Sequence, residues 1–152
     1  MRPRYLVPRL RIALIRETPL AEAPPVVRRS ADIVTLFGPL LRDCDREEFW
    51  VVPLDGKHRP IGVHRCSVGT LTASLVHPRE LLKPLILTSA AAFVVVHPHP
   101  SGDPTPSAED IALTQRLVQV ADLVGIPLLD HVILGADGRY VSFADENRLS
   151  RA

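Results

Sequence analysis

Hydrophobic and polar residues follow two different periods along this chain. Alternating or continuous apolar runs typical of strands occur at 49–54, 60–68, 69–74, 91–96, 128–134 and 139–143. Apolar residues at helical spacing occur over 31–41, 78–89 and 107–124. Because strands and helices alternate, and because some successive strands form hairpins, the pattern predicts an α/β sandwich around a mixed sheet.

Several residues indicate where the predicted elements begin, bend and end. Ser30 and Ser107 suit the N-caps of the first and third helices, and Gly125 suits the C-cap of the third. Pro84 should kink the second helix or end its first part. The run 91–96 is nearly all apolar and β-branched, which predicts a central strand covered on both faces. The buried stripe of the third helix is predicted to contain Leu113, Leu117, Val120, Ala121 and Val124.

The chain is predicted to consist of an arm, one domain and a tail. Residues 1–29 form the arm: alternation within 5–16 favours a strand at a sheet edge, and the prolines of 18–25 indicate a linker. Residues 30–145 form the domain. The polar tail 146–152 is expected to fray.

Composition places the chain in a broad class. A length of 152 residues suits one domain, and 46% hydrophobic with 23% charged residues is typical of a globular protein. No apolar run approaches the length of a membrane span, and arginines interrupt the N-terminal apolar residues where a secretory leader needs a continuous core. We therefore expect a cytoplasmic protein with no membrane partner, in which Cys44 and Cys66 are reduced.

Charge is distributed unevenly between the arm and the rest of the chain. The formal net charge is +1, but residues 1–29 contain seven arginines against Glu17 and Glu22, which gives +5 for the arm and −4 for the remainder. Phosphate binding requires a basic excess that the body lacks. A nucleic-acid partner is therefore supported at most through the arm.

Two histidines and one aspartate lie at spacings that suit a metal site. His97 and His99 follow a buried apolar strand and share one face of it. A proline-rich loop then leads to Ser107, and Asp110 lies in the first turn of the next helix, facing back towards the strand end. Alone, the His-x-His pair or the first-turn acid would be structural. Together they supply three ligands of a tetrahedral shell, which is how a catalytic zinc keeps a position for water.

These residues resemble a known motif. The pattern His97-x-His99-Pro100, six residues, Ser107, two residues, Asp110 is similar to the JAMM motif of the JAB/MPN metalloproteases. The segments HPRE at 77–80, HPSGDPTPSAEDIALTQRL at 99–117 and LLDHVIL at 128–134 resemble the RadC-like branch of those families. The resemblance covers roughly 30–145 and implies a JAB/MPN-type mixed sheet between helices, in a cytidine-deaminase-like layout. That branch usually reads His-Asn-His-Pro, and this chain has Pro98 in place of the asparagine, at a position that is not a metal ligand.

The resemblance also implies roles for individual residues. Zn²⁺ would be held by His97, His99 and Asp110, and Ser107 would hydrogen-bond the oxyanion of the tetrahedral intermediate. The general base would be Glu47 or Glu48, of which we prefer Glu47, because RadC-like sequences typically place the acid two residues before the phenylalanine. The implied function is a zinc metallohydrolase that attacks a peptide or isopeptide bond, with a peptide or protein as substrate.

The sequence also bears on two other functions. A zinc deaminase would need His-x-Glu followed by Pro-Cys-x-x-Cys, and neither occurs in the chain. A non-catalytic interaction module, with or without metal and associated with DNA processing or mobile elements, is the alternative that stays open. Many JAB/MPN domains of that kind lack the histidines, whereas this chain retains them.

The remaining histidines are interpreted as structural. His58 and His64 are expected at the surface, and His77, which precedes Pro78, is expected to cap a helix start rather than to bind a metal. Asp130 and His131 are adjacent in a predicted strand and must face opposite ways, so they cannot both address one site. We expect one of the two to make a buried hydrogen bond that supports the site.

Overall fold

The structure, a computed structural model, describes residues 7–18, 22–69 and 76–150 of the chain. In these parts the helices are α1 (Ser30–Leu41), α2 (Pro78–Leu87) and α3 (Ala108–Val124). The strands are β1 (Glu48–Leu54), β2 (His64–Val68), β3 (Ala92–Pro98), β4 (Leu128–Leu134) and β5 (Tyr140–Ser142).

The five strands form one mixed sheet in the order β2-β1-β3-β4-β5. The pair β3–β4 is parallel, and the other three pairs are antiparallel. β3 lies in the middle, and every one of its residues is buried, as the continuous apolar run predicts. The predicted α/β fold with a mixed sheet is therefore confirmed.

Helices cover both faces of the sheet and divide the core into two clusters. α1 packs on one face, where the buried residues include Ile33, Phe37, Leu41, Val52, Val94, Val96 and Val132. α2 and α3 pack on the other, where the buried residues include Phe49, Val51, Leu81, Leu85, Phe93, Val95 and Leu117. Odd-numbered residues of β1 and β3 therefore face α2 and α3, and even-numbered residues face α1.

The ends of the helices agree with most, though not all, of the predicted signals. Ser107 is the N-cap of α3, and Gly125 ends the helix with a φ of +81°, as expected. The N-cap of α1 is Arg29 and not Ser30, which is the first helical residue; the carboxylate of Asp32 accepts the Arg29 N–H at 3.1 Å instead. α2 continues through Pro84.

The buried stripe of α3 differs from the one predicted. The helix buries Asp110, Thr114, Leu117, Val118 and Ala121, whereas Val124 is 40% exposed. The prediction used apolar residues alone. Because two of the buried positions of α3, Asp110 and Thr114, are polar, it placed the buried stripe too far round the helix. The inward face therefore runs along the line that carries Asp110 and Thr114.

The prediction of an edge strand in the arm is wrong for the part that the structure describes. Residues 7–16 form no strand, and Leu10, Ile12 and Ile15 are 82%, 74% and 83% exposed. Residues 5 and 6 lie outside the described residues. Alternation specifies which side chains share a face, but a strand also needs a partner for its backbone, and these residues pair with none of the described strands.

The observed strands differ from the predicted ones at β2, at the strand expected over 69–74 and at β5. β2 begins at His64 rather than at residue 60, although Pro60 makes an isolated bridge to Leu54. The short strand expected at 69–74 falls on residues 70–74, which lie outside the described residues, while Gly69 is not in a strand. β4 has the predicted bounds, and β5 is shorter than 139–143.

Cys44 and Cys66 are free thiols, as expected. Burial raises the pKa of Cys44 to about 11 and that of Cys66 to about 12, so both are protonated near neutral pH. None of the described helices is both long enough and apolar enough to cross a membrane.

Candidate metal centre

The start of β1 and the end of β3 meet at one edge of the sheet. The strands are antiparallel, and Trp50 pairs with Val96, so the residues just before β1 lie beside those just after β3. His97 and His99 follow the odd-numbered positions of β3 and so face α3. His99 donates its backbone N–H to Leu134 O at 2.9 Å, which fixes the chain as it leaves the sheet.

The same alternation separates the two candidate glutamates. Glu48 turns towards the α1 face, where it accepts the indole N–H of Trp50 at 2.8 Å and lies 3.5 Å from Arg65. Glu47 turns towards the histidines, and ligand atoms of Glu47, His97 and His99 all lie within 4.8 Å of one another. These three residues form a group that could hold a metal ion.

Asp110, in the first turn of α3, is not one of these three residues but lies against both histidines. Its Oδ1 lies 3.3 Å from Nδ1 of His97, and its Oδ2 lies 3.2 Å from Nε2 of His99. Its side chain is 8% exposed, and those of the two histidines are 4% and 10% exposed. The structure therefore brings together the five residues singled out in the sequence, with Ser107 as the cap beside Asp110.

The helix cap holds the Asp110 carboxylate in place. Asp110 donates its backbone N–H to the Ser107 hydroxyl at 3.1 Å, and Asp110 Oδ2 accepts the Ser107 N–H at 2.9 Å. This reciprocal pair is a capping box. The Ser107 side chain is exposed, and its hydroxyl hydrogen is still free to be donated to another acceptor.

The orientation of His99 leaves a lone pair directed at the carboxylate. Its Nδ1 lies 2.8 Å from the carbonyl oxygen of Asp103, and since a carbonyl only accepts, Nδ1 must carry the hydrogen. In the neutral ring, Nε2 is then an acceptor 3.2 Å from an acceptor oxygen of Asp110. Two acceptors at this separation require a cation between them, either a proton or a metal ion.

The charges of the two groups agree with this geometry. The Asp110 carboxylate raises the pKa of His99 against the opposing effect of burial, with a smaller contribution from the Asp103 carbonyl. Burial alone would raise the pKa of Asp110, but the contacts with His97, His99 and the Ser107 N–H outweigh it and hold that pKa well below its ordinary value. Asp110 is therefore an anion near neutral pH.

The donor set fits a small divalent metal. His97 is 3% exposed, and neither of its ring nitrogens makes a hydrogen bond with the described residues, so both are free to bind a ligand. Ligand atoms in a tetrahedral zinc site lie about 3.4 Å apart when the bonds are 2.0–2.1 Å long. Each histidine lies at about this spacing from a different Asp110 oxygen, His97 Nδ1 at 3.3 Å from Oδ1 and His99 Nε2 at 3.2 Å from Oδ2.

A cleft gives solvent access to the centre. It has a volume of about 400 Å³ and is lined by Glu47, His99, Pro100 and Ser101. Glu47 is half-buried and reaches the cleft, whereas Asp110 is enclosed. One carboxylate is thus accessible to water and substrate, and the other is a fixed anion behind the histidines.

A second layer of polar groups lies beneath the centre. His131 is fully buried, and its Nδ1 lies 2.7 Å from the Thr114 hydroxyl, which in turn donates to Asp110 O at 2.6 Å. Burial lowers the pKa of His131 to about 3, so the ring is neutral near pH 7. Asp130 faces the other way, where its Oδ2 accepts a hydrogen bond from the Ser142 hydroxyl. Thr114 was missed in the sequence, although its position four residues after Asp110 places both on one helix face.

The other predicted positions are also accounted for. His58 and His64 are exposed, as expected. His77 is the N-cap residue of α2, although its side chain makes no capping hydrogen bond. Pro98 is the last residue of β3 and faces away from the two histidines beside it, so the departure from the usual asparagine leaves the strand end intact.

Comparison with known proteins gives a consistent family. The family model of the RadC-like JAB domain matches residues 27–149. A UPF0758 protein of Desulforudis audaxviator is 50% identical over 121 residues, which cover 80% of this chain and 52% of that protein. A UPF0758 protein of Moorella thermoacetica is 48% identical over 124 residues, covering 82% of this chain and 54% of the relative.

A third relative shows the same proportions. The UPF0758 protein of Methanosarcina mazei is 45% identical over 130 residues, which cover 86% of this chain and 56% of that protein. The chain therefore spans about half the length of the curated relatives it matches.

Proposed function

Because this chain belongs to the RadC-like JAB domain family and has the carboxylates of Glu47 and Asp110 next to two histidines at one sheet edge, we propose that it is a zinc-dependent metallohydrolase of the JAMM type. The proposed reaction is hydrolysis of a peptide or isopeptide bond. The observation that carries the proposal is the acceptor pair of His99 Nε2 and Asp110 Oδ2, 3.2 Å apart, which a metal cation would satisfy.

We assign the metal to His97, His99 and Asp110, and keep Glu47 for proton transfer. Asp110 is buried and anionic, as a ligand needs to be. Glu47 borders the cleft, where a general base must meet both water and substrate. Zinc bound there would lower the pKa of water to about 7 and polarise a substrate carbonyl.

The residues of the chain then act in sequence. Glu47 accepts a proton from the attacking water and later transfers it to the leaving amine. The exposed Ser107 hydroxyl donates to the carbonyl oxygen as negative charge develops on it, while its oxygen continues to accept the Asp110 N–H. The Asp103 carbonyl keeps the His99 ring in the tautomer that presents Nε2.

The first prediction separates ligands from the base. Replacing His97 and His99 together by alanine, or Asp110 by asparagine, should abolish or strongly weaken zinc binding, because each change removes charge or lone pairs from the shell. Glu47→Gln should retain the parent's zinc content. Elemental analysis and zinc titration of purified proteins measure this. Zinc loss in Glu47→Gln together with retention in Asp110→Asn would exchange the two roles.

The second prediction concerns catalysis. Glu47→Gln should lower hydrolysis of pooled fluorogenic peptides by at least about 100-fold, since positioned general bases contribute roughly 10²–10⁴ in rate. Glu48→Gln is the matched control: it changes the adjacent glutamate, whose side chain contacts Trp50 and Arg65 on the other face. Full activity in Glu47→Gln would remove this residue from the mechanism.

A different outcome would favour the alternative function. Parent protein that binds zinc but hydrolyses no peptide or isopeptide-linked substrate would act as a metal-stabilised interaction module. The metal site would then contribute to folding, and chelation would lower the unfolding temperature without loss of any activity.

A further inference from the structure

His131 lies against the proposed ligand His97 and is linked to the proposed ligand Asp110 through Thr114. It lies on β4, beside β3, and is fully buried. Its ring stacks on the His97 ring with centroids 6.1 Å apart and an interplanar angle of 19°. On its other side it stacks on Phe143 at 4.6 Å and 13°. The Phe143 ring thereby supports the His131 ring, which in turn lies against His97.

A hydrogen-bond chain connects the same ring to Asp110. The Thr114 hydroxyl lies 2.6 Å from the backbone carbonyl of Asp110, and this oxygen can only accept, so the hydroxyl donates to it. The hydroxyl oxygen then accepts from Nδ1 of His131 at 2.7 Å. The chain has a single direction, from the His131 N–H through Thr114 to Asp110. Nε2 of His131 has no partner among the described residues.

An unpartnered buried nitrogen is unfavourable for the fold. An apolar side chain at residue 131 would avoid this and would fill a core that already contains Phe49 and Phe143. The position therefore satisfies a requirement other than packing. The contacts indicate what that requirement is: residue 131 provides a planar ring against His97 and an N–H directed at Thr114.

We propose that His131 and Thr114 are positioning residues that hold His97 and Asp110 at ligand spacing, joining β3 and α3 through β4. The inference rests on the proposed function in so far as that function needs a metal at these ligands. Neither residue touches the substrate or the metal. Their effect is to keep His97 Nδ1 and Asp110 Oδ1 at their separation of 3.3 Å.

The test uses variants that separate the hydrogen bond from the stack. Thr114→Val removes the hydroxyl at nearly constant volume, and Thr114→Ser restores it. His131→Phe keeps a stacked ring without the N–H, and His131→Asn keeps a donor near Nδ1 without the ring. Zinc affinity is measured in the 152-residue chain by competition with a chromophoric chelator, and the visible spectrum of the cobalt(II)-loaded protein reports the ligand geometry.

Thr114→Val and His131→Phe should each bind zinc about 10- to 100-fold more weakly, the effect typical of groups that support metal ligands. Both should also change the cobalt spectrum, whereas Thr114→Ser should restore both readouts. Val132→Ala is the control for stability alone. It truncates a fully buried neighbour on the opposite face of β4, and should lower the unfolding temperature while zinc affinity stays at the parent value.

The outcomes distinguish this inference from the proposed function. Parent-like zinc affinity and cobalt spectrum in Thr114→Val and His131→Phe would overturn it, and so would an equal loss of affinity in Val132→Ala. If Thr114→Val does not fold, His131→Phe decides. Weakened variants together with a zinc-bound but inactive parent would support positioning and reject the hydrolase. A parent that takes up no metal would reject both.

Discussion

Asp110 serves α3 and the candidate metal centre with the same carboxylate. Oδ2 accepts the Ser107 N–H in the capping box and also lies 3.2 Å from His99. A cap of this kind stabilises a helix by about 1 kcal/mol. Asparagine retains an acceptor oxygen for the Ser107 N–H but loses the charge. Asp110→Asn is therefore expected to leave α3 folded, so that a loss of metal can be read as a loss of ligation.

At the residue scale, His131 should make the metal-free protein sensitive to acid. Burial lowers its pKa to about 3, from an ordinary value of 6.5. Above pH 6.5 His131 is neutral in both the folded and the unfolded protein, so it does not change the free energy of unfolding there. Below it the unfolded chain takes up a proton that the folded chain does not, so stability falls towards pH 3, by up to about 1.4 kcal/mol per pH unit.

Urea unfolding between about pH 7 and pH 4 in the presence of a chelator measures this dependence. His131→Phe, which cannot titrate, should show a shallower loss of stability on acidification than the parent. His64→Gln changes an exposed histidine and should follow the parent curve. Parallel curves for the parent and His131→Phe would mean that His131 is not held neutral by burial.

At the scale of elements, the loop after β3 is fixed against the turn between β4 and β5. The carbonyl oxygen of Gly102 accepts the Ala136 N–H at 2.8 Å and an Arg139 guanidinium N–H at 3.0 Å. A Cβ on Gly135 would lie 2.5 Å from that same oxygen and 2.8 Å from the Pro104 ring. Only glycine permits this approach, which sets the position of the loop that carries the Asp103 carbonyl to His99.

Gly135→Ala should therefore displace the loop and weaken zinc binding, with a loss of stability of roughly 1–3 kcal/mol from overpacking. Zinc competition and urea unfolding measure the two effects. Gly56→Ala is the control, because a Cβ there meets no atom within 4 Å, and its effect should stay within about 0.5 kcal/mol. Parent-like zinc affinity in Gly135→Ala would show that the loop can move without disturbing His99.

Some elements could be predicted from the sequence and others could not. β4 and the caps of α3 have local determinants, a bounded apolar run and a Ser and Gly pair, and both lie where the pattern indicated. The prediction of an edge strand in the arm was wrong because alternation shows which side chains share a face but does not show whether a partner strand is present. Thr114 was missed because its role depends on His131, seventeen residues away in another element. Such pairings come from tertiary contacts that periodicity does not contain.

For the whole molecule, the mixed sheet explains why the candidate site could be assembled from distant residues. Antiparallel pairing brings Glu47 to the end of β3, and the helix that follows returns Asp110 to the same edge. The His-x-His motif and its spacing to Asp110 were visible in the sequence. The resemblance favoured Glu47 over Glu48 already in the sequence, and the structure adds that Glu47 lies beside the histidines whereas Glu48 contacts Trp50.

The arm should be separable from this assembly. Residues 7–18 make no hydrogen bond or ion pair with the rest of the described chain. The first hydrogen bonds to the domain come later in the chain: Pro24 O accepts the Arg59 guanidinium N–H at 3.0 Å, and Val27 donates its N–H to His58 O at 2.9 Å. Deleting residues 1–22 should therefore change the unfolding temperature by no more than about 2 °C and leave zinc content unchanged. Differential scanning fluorimetry and elemental analysis measure both.

The same deletion tests the charge of the arm, because it removes five of the seven arginines found in residues 1–29. If the arm contacts nucleic acid, the parent should bind a mixed-sequence DNA duplex at low salt, with an affinity that falls steeply as salt is raised, and the deletion variant should not bind. A full-length variant with Arg9, Arg11 and Arg16 changed to glutamine keeps the length and apolar residues of the arm, and should also lose binding. DNA binding that survives both changes and is insensitive to salt would place the contact on the body of the domain, whose net charge of −4 makes that outcome electrostatically unfavourable.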